Sequence, residues 1–286
     1  DLVIPEGVTS ISGYAFYNCS ILTSITIPNS VTQIDYMAFC NSSGLTDIHY
    51  NGDLTGWLNI SDLDNLMAYG KSTKTLYIDG TKIEGDLVIP EGVTSISGYA
   101  FYNCIELTSV KIPDNVTLID SYAFSGCTGL TGIAIPNSIA SIGDYAFNYC
   151  AWLTNVKIGS GIRSVGKGIF LNCASLTTVY WNATNCTKAG SNTSPIFSGC
   201  TSLKTVIIGE NVQTIPDYAF YGCTGLKSIS IPNRISSIGE YAFDGCKGLT
   251  SVTISSGVKS IGRSAFSNCT GLTTIYWNAT NCTKTS

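Results

Sequence analysis

The chain has 286 residues, of which only 12% are charged, with a formal net charge of −4 and one histidine, His49. So sparse and slightly acidic a charge set lacks the basic face that a phosphate backbone requires, which excludes nucleic acid as an expected partner. No apolar run reaches the roughly 18 residues of a membrane span, and no charged-then-apolar leader opens the chain, so this segment is not expected to insert into a membrane.

Ten phenylalanines set the frame: Phe16, Phe39, Phe101, Phe124, Phe147, Phe170, Phe197, Phe220, Phe243 and Phe266 share one local phrase, and seven of the nine gaps between them are 23 residues. A fixed period of this size, with recurring Leu and Ile, marks a solenoid in which each unit stacks only on its neighbours. The exceptions are 62 residues between Phe39 and Phe101 and 27 between Phe170 and Phe197, one insert and one bulge. The expected organisation is therefore a single solenoid: repeats over 1–45, an insert over 46–85, and continuing repeats over 86–286.

Residues 1–45 begin with a copied block. Asp1 to Cys19 is identical to Asp86 to Cys104, and the second copy is preceded by LYIDGTKIEG. Together with an opening Asp in place of Met, this predicts that the parent chain carries a similar segment before Asp1. Growth by duplication is visible again in Thr177 to Lys188 and Thr273 to Lys284, which differ at one position.

In the insert, the apolar spacing of Leu54, Trp57, Leu58, Leu63, Leu66 and Met67 predicts one or two short helices over 53–69, with Ser61 as a cap. Asp79-Gly80 between alternating runs predicts a hairpin. The segment suits either a spacer or a grafted recognition module.

The best-formed repeat in the long block is Cys104 to Cys127, where Leu107, Val110, Ile112, Val116, Ile119, Ala123 and Phe124 form the inward set. Its Val-x-Ile end alternates with period two, as a half-buried strand does. Pro113 then ends the strand, because proline has no amide to give a ladder. The Val-x-x-Ile and Ala-Phe-x-x-Cys phrases, spaced by threes, predict an extended stretch followed by one tight helical turn. Stacking such units predicts a parallel β-sheet on one face, with short helical or 3-10 turns and loops on the other.

Four extra residues in the stretch Trp181 to Pro195 make the bulge, and Trp181 falls where other repeats place a core Ile. The phrase Cys-x-x-Leu-x-x-Ile-x-Ile-Pro-x-x-Val-x-x-Ile-x-x-x-Ala-Phe-x-x-Cys, carried nearly intact by Cys104 to Cys127 and Cys223 to Cys246, resembles the BspA-like, Treponema-type leucine-rich repeat of bacterial surface proteins. The resemblance covers Asp1 to Leu45 and Asp86 to Ser286. It implies a leucine-rich-repeat solenoid on an extracellular or cell-surface protein, working by adhesion or protein binding to a host or a neighbouring cell. A structural spacer and a glycan-binding module are the alternatives, because such scaffolds host unrelated ligands.

Nine cysteines, Cys19, Cys104, Cys127, Cys150, Cys173, Cys200, Cys223, Cys246 and Cys269, lie three residues after a repeat Phe, with Ser42 in the tenth slot. Side chains in one column point the same way, which places neighbouring Cβ atoms beyond disulfide reach, so buried thiols are expected. A linear column does not converge on a point and no Cys-x-x-Cys pair occurs, so no metal or cofactor is expected. Pairing of Cys40, Cys186 and Cys282 is not readable from sequence. His49 has no Ser or Cys motif around it, and no phosphate-loop or zinc-protease phrase appears, so an enzyme is not expected.

The outward strand positions are mostly Ser and Thr. Against that background His49, Lys111, Lys157, Tyr180, Ile207 and Tyr276 are the candidate contacts, since aromatic and cationic side chains carry much interface energy. A second column, Tyr14, Tyr99, Tyr122, Tyr145, Tyr218 and Tyr241, suits a packing ladder or an amphipathic strip.

Overall fold

The computed structural model describes residues 1–69, 73–187 and 189–284; positions 70–72 in the insert, 188 in the bulge and 285–286 lie outside the described residues. The chain winds as a β-solenoid with few helices. Among the described residues, none of these helices is long and apolar enough to cross a membrane.

One wall is built from the alternating segments. Ser24–Pro28 pairs in parallel with Asp47–Asn51, and that strand pairs with Thr75–Ile78. Gly85–Val88 pairs with Leu107–Lys111, and in the coils that follow Gly132–Ala134, Asn155–Ile158, Thr178–Trp181 and Thr205–Ile208 form a four-stranded parallel sheet of their own. Ser228–Ser230, Ser251–Ile254 and Thr274–Trp277 form a three-stranded parallel sheet that ends the wall. Alternation does the sorting: in Asn155–Ile158, Val156 and Ile158 are buried while Asn155 and Lys157 are exposed.

A second ladder was not expected. Two-residue strands such as Ser95–Ile96, Leu118–Ile119, Ser141–Ile142 and Ser164–Val165 pair in parallel along the opposite wall, each turning one Ile or Val inward. The Val-x-x-Ile phrase supplies them, because a β-branched residue on a pleated, half-buried surface packs against its copy one coil away.

The Ala-Phe-x-x-Cys turn makes a third row by a different device. Ala100, Tyr102 and Cys104 donate their amides three residues back within the turn, whereas Tyr99, Phe101 and Asn103 donate to Ser121, Ala123 and Ser125 of the next coil. Local and inter-coil bonds thus alternate residue by residue, so every amide in the phrase is satisfied. Alternation requires left-handed backbone at two points. Tyr99, Tyr122 and Tyr145 have φ of 60°, 58° and 56°, and Asn103, Gly126 and Asn172 have φ of 58°, 76° and 59°.

Inside, the phenylalanines from Phe101 to Phe266 form one file, and Phe16 stacks on Phe39 before the insert. Ring centroids of Phe101, Phe124, Phe147, Phe170 and Phe197 step by 5.1, 5.3, 5.4 and 5.6 Å with near-parallel planes. Beside them runs the cysteine column. The Cys127 thiol donates to the Phe101 carbonyl at 3.1 Å, Cys150 to Phe124 at 3.3 Å and Cys173 to Phe147 at 3.2 Å. Ser42 does the same to Phe16 at 2.7 Å. Each of these thiols therefore caps a carbonyl of the preceding coil. Burial pushes the Cys104 thiol up to about 12 and raises Cys127 and Cys223 as well, so these groups stay neutral.

The insert belongs to the stack. Its segment 46–85 contributes Asp47–Asn51 and Thr75–Ile78 to the face ladder, with two helices between them, α1 (Leu54–Leu58) and α2 (Asp64–Met67). Asp53, not Ser61, is the side-chain cap, accepting from the Gly56 amide at 2.7 Å. Ser61 instead bridges in parallel to Gln33 through its backbone, taking a place in the short-strand wall, and the N-cap of α2 is Leu63, two residues later, with no side-chain cap bond. The hairpin turns at Asp79 and Gly80, with φ of 47° and 73°, and Thr81–Lys82 returns antiparallel to Thr75–Ile78. This antiparallel strand interrupts the expected single parallel sheet.

Trp57 repairs the seam. In regular coils the Phe amide bonds the next coil's Ala carbonyl; the insert has no such Phe, and the buried Trp57 indole N–H donates to Ala100 at 3.0 Å. Lys74, 4% exposed, donates to the Leu45 carbonyl at 3.2 Å and also to Tyr69, and burial lowers its ammonium to about 8.

Candidate functional site

Period-two alternation sends one row of side chains out of the face ladder, and pairing register fixes which are neighbours. Lys157 lies directly opposite Tyr180, and Tyr180 opposite Ile207. Tyr180 and Ile207 are 42% and 44% exposed, large apolar groups that follow one another on adjacent strands. These three candidate contacts therefore form one contiguous group.

The others are spread along the row. Lys111 pairs with Val88, itself exposed, and reaches Lys157 only across Ala134; Lys111, Ala134 and Lys157 line one depression. A second depression, about 490 Å³, shares Ala134 and Lys157 and is closed by Gly132, Asn155 and Tyr180. His49 stands in strand Asp47–Asn51 at the start of the insert, opposite Thr26 and Tyr77, with its ring stacked on Tyr77 at 4.3 Å. Tyr276 is in the last long strand beside exposed Ile275 and Trp277, and Ser230 and Thr253 separate it from Ile207. His49 and Tyr276 therefore do not join the central group.

The tyrosine column packs. Tyr99 stacks on Tyr122 at 4.7 Å and Tyr122 on Tyr145 at 5.1 Å, and Tyr218 stacks on Tyr241 at 5.1 Å. Each of these five is half-buried, which leaves ring edges at the surface. Trp181 is fully buried beside Phe220. Among the exposed aromatics that sequence reasoning missed are Tyr149 at 56% and Trp152 at 66%. Their signal was the break in pattern: Tyr149 stands in the Asn/Gly column, and Trp152 where other coils carry Gly129 or Gly225. Among the described residues no cluster of His, Cys, Asp or Glu could hold a metal ion.

The model of the BspA type leucine-rich repeat region matches six copies over residues 1–59, 79–194 and 190–285. The chain belongs to the BspA-type leucine-rich repeat family. Among solved structures, a leucine-rich cell surface protein of Faecalibacterium prausnitzii is 27% identical over 96% of this chain and 87% of its own, with a TM-score of 0.49. A leucine-rich repeat protein of Bacteroides ovatus shares the fold at TM-score 0.59 and 23% identity, covering 96% and 86%. One from Eubacterium ventriosum does so at 0.51 and 23%, covering 94% and 76%. Among curated proteins none matches the chain. Membership in the BspA-type family accounts for the scaffold, and the particular surface has to be read from this chain's own residues.

Proposed function

We propose that this BspA-type repeat protein is a bacterial cell-surface scaffold that holds a protein partner against its long-strand face, as in adhesion to a host or neighbouring cell. The observation that carries the reading is the contiguous Lys157, Tyr180 and Ile207 group, adjacent in register on the long-strand face. A spacer has no use for exposed aromatic and aliphatic side chains in register, whereas a partner would desolvate them as interface anchors. The family's surface character supports the location.

The test is binding of the immobilised protein to extracellular-matrix proteins and to intact bacterial cells, repeated with a Tyr180→Ala/Ile207→Ala double variant. Burying and then truncating two such anchors is worth about 2–4 kcal/mol, so capture should fall at least thirtyfold. Unchanged capture by the variant, or no capture by the parent, would favour the spacer.

A further inference from the structure

We propose that the trough over Gly132–Ala134 seats a carboxylate of an acidic, extended polypeptide segment of the partner, held between Lys111 and Lys157. The inference rests on the sheet-face reading and deepens it. Its first ground is shape. Strand Gly132–Ala134 turns outward only a glycine and a methyl group, so a channel one strand wide opens between the taller side chains on either side. The two depressions are continuous through Ala134 and Lys157, running from Gly132 to Asn137. Three residues of strand are about 10 Å, room for about three residues of extended chain.

Its second ground is charge. A lysine stands on each wall, two strand spacings or about 10 Å apart, a separation that brackets one carboxylate. Ion pairs among the described residues join Lys82 to Glu84 and to Glu106, at the hairpin rather than at the trough. Asp114 also lines the depression that Lys111 lines and is absent from the one that Tyr180 lines, which biases an acidic ligand toward the Asn155 and Tyr180 end. The floor between the lysines is the Ala134 methyl and the strand backbone, Ile133 and Ile135 turning into the core, so the trough offers a small apolar contact with cationic walls. A densely sulfated or phosphorylated polymer would have most of its charge against that floor. A peptide alternating acidic and apolar side chains meets both features.

The probe is a fluorescein-labelled poly(Glu,Tyr) copolymer, followed by fluorescence anisotropy, with poly(Lys,Tyr) and heparin as comparators. Wild-type protein should bind poly(Glu,Tyr) in preference to both. A Lys111→Gln/Lys157→Gln double variant should bind about tenfold more weakly and lose most of the salt dependence. Ala134→Trp fills the channel while keeping both lysines and should weaken binding as much, whereas Lys167→Gln on the turn side should not. Absent binding, equal weakening by Lys167→Gln, or preference for heparin would overturn the proposal. If matrix or cell capture falls with Tyr180→Ala/Ile207→Ala but not with Lys111→Gln/Lys157→Gln or Ala134→Trp, the face reading stands and the trough does not. If no variant changes either measurement, both fall.

Discussion

At Tyr149 the backbone holds φ at 57° although the ring is 56% exposed, so little packing offsets the cost of a left-handed non-glycine residue. Replacing it by Gly should raise stability by about 1 kcal/mol, read as a higher denaturant midpoint at unchanged slope. The same column gives the opposite result one coil back. A Cβ on Gly126, at φ 76°, would lie 1.8 Å from the Asn103 Oδ1, so Gly126→Ala should lower stability by about 1–3 kcal/mol. Similar reasoning explains the hydroxylated columns: Thr154 donates its hydroxyl to the Thr131 carbonyl at 2.9 Å and Thr177 to Thr154 at 3.0 Å, an inter-coil contact repeated once per turn.

Among elements, the seam between the insert and the second block depends on one indole. Trp57→Phe keeps most of the buried volume but leaves the Ala100 carbonyl without its donor, a loss of about 1–3 kcal/mol. Amide exchange should quicken in the coil of Ser95–Ile96 before it does in that of Thr214–Ile215, because coupling in a solenoid runs through nearest neighbours. The long strands and the hairpin were legible because alternation and Asp-Gly are local signals. The short-strand wall was hidden, since two residues are too few to show a period. The left-handed Tyr positions were hidden too, because tyrosine reads as a packing residue and rarely takes that backbone. Ser61 misled for a positional reason: a helix cap and a bridge residue look alike until the preceding coil, with Gln33, is in place. On the face, Lys157, Tyr180 and Ile207 were legible by alternation. The trough was not, because it is made by what Gly132 and Ala134 lack.

Across the whole molecule, eight column thiols from Cys104 to Cys269 are raised above the ordinary value of 9.0, in most cases chiefly by burial. An acid raised on folding contributes stability that is complete below its unfolded value and lost as pH climbs toward its folded one. Stability should therefore fall steeply above pH 9, at up to about 1.4 kcal/mol per pH unit for each thiol ionised only when unfolded. Lys74 acts in the other direction, since its lowered ammonium adds stability as pH rises from about 8 toward 10.5, but it is one group against eight. Cys150→Ser, which copies the arrangement at Ser42, should reduce the alkaline slope by one thiol's share; denaturation midpoints from pH 7 to 11 would show it.

The stacking that makes neighbours of residues 23 or 46 positions apart has a direct chemical readout. Short amine-reactive cross-linking of the monomer, with an arm of about 10 Å, followed by peptide mass spectrometry, should join Lys111 to Lys157 across Ala134. Absence of that link, with Lys111 joined instead to Lys167 of the turn side, would contradict the in-register face on which the binding proposal depends.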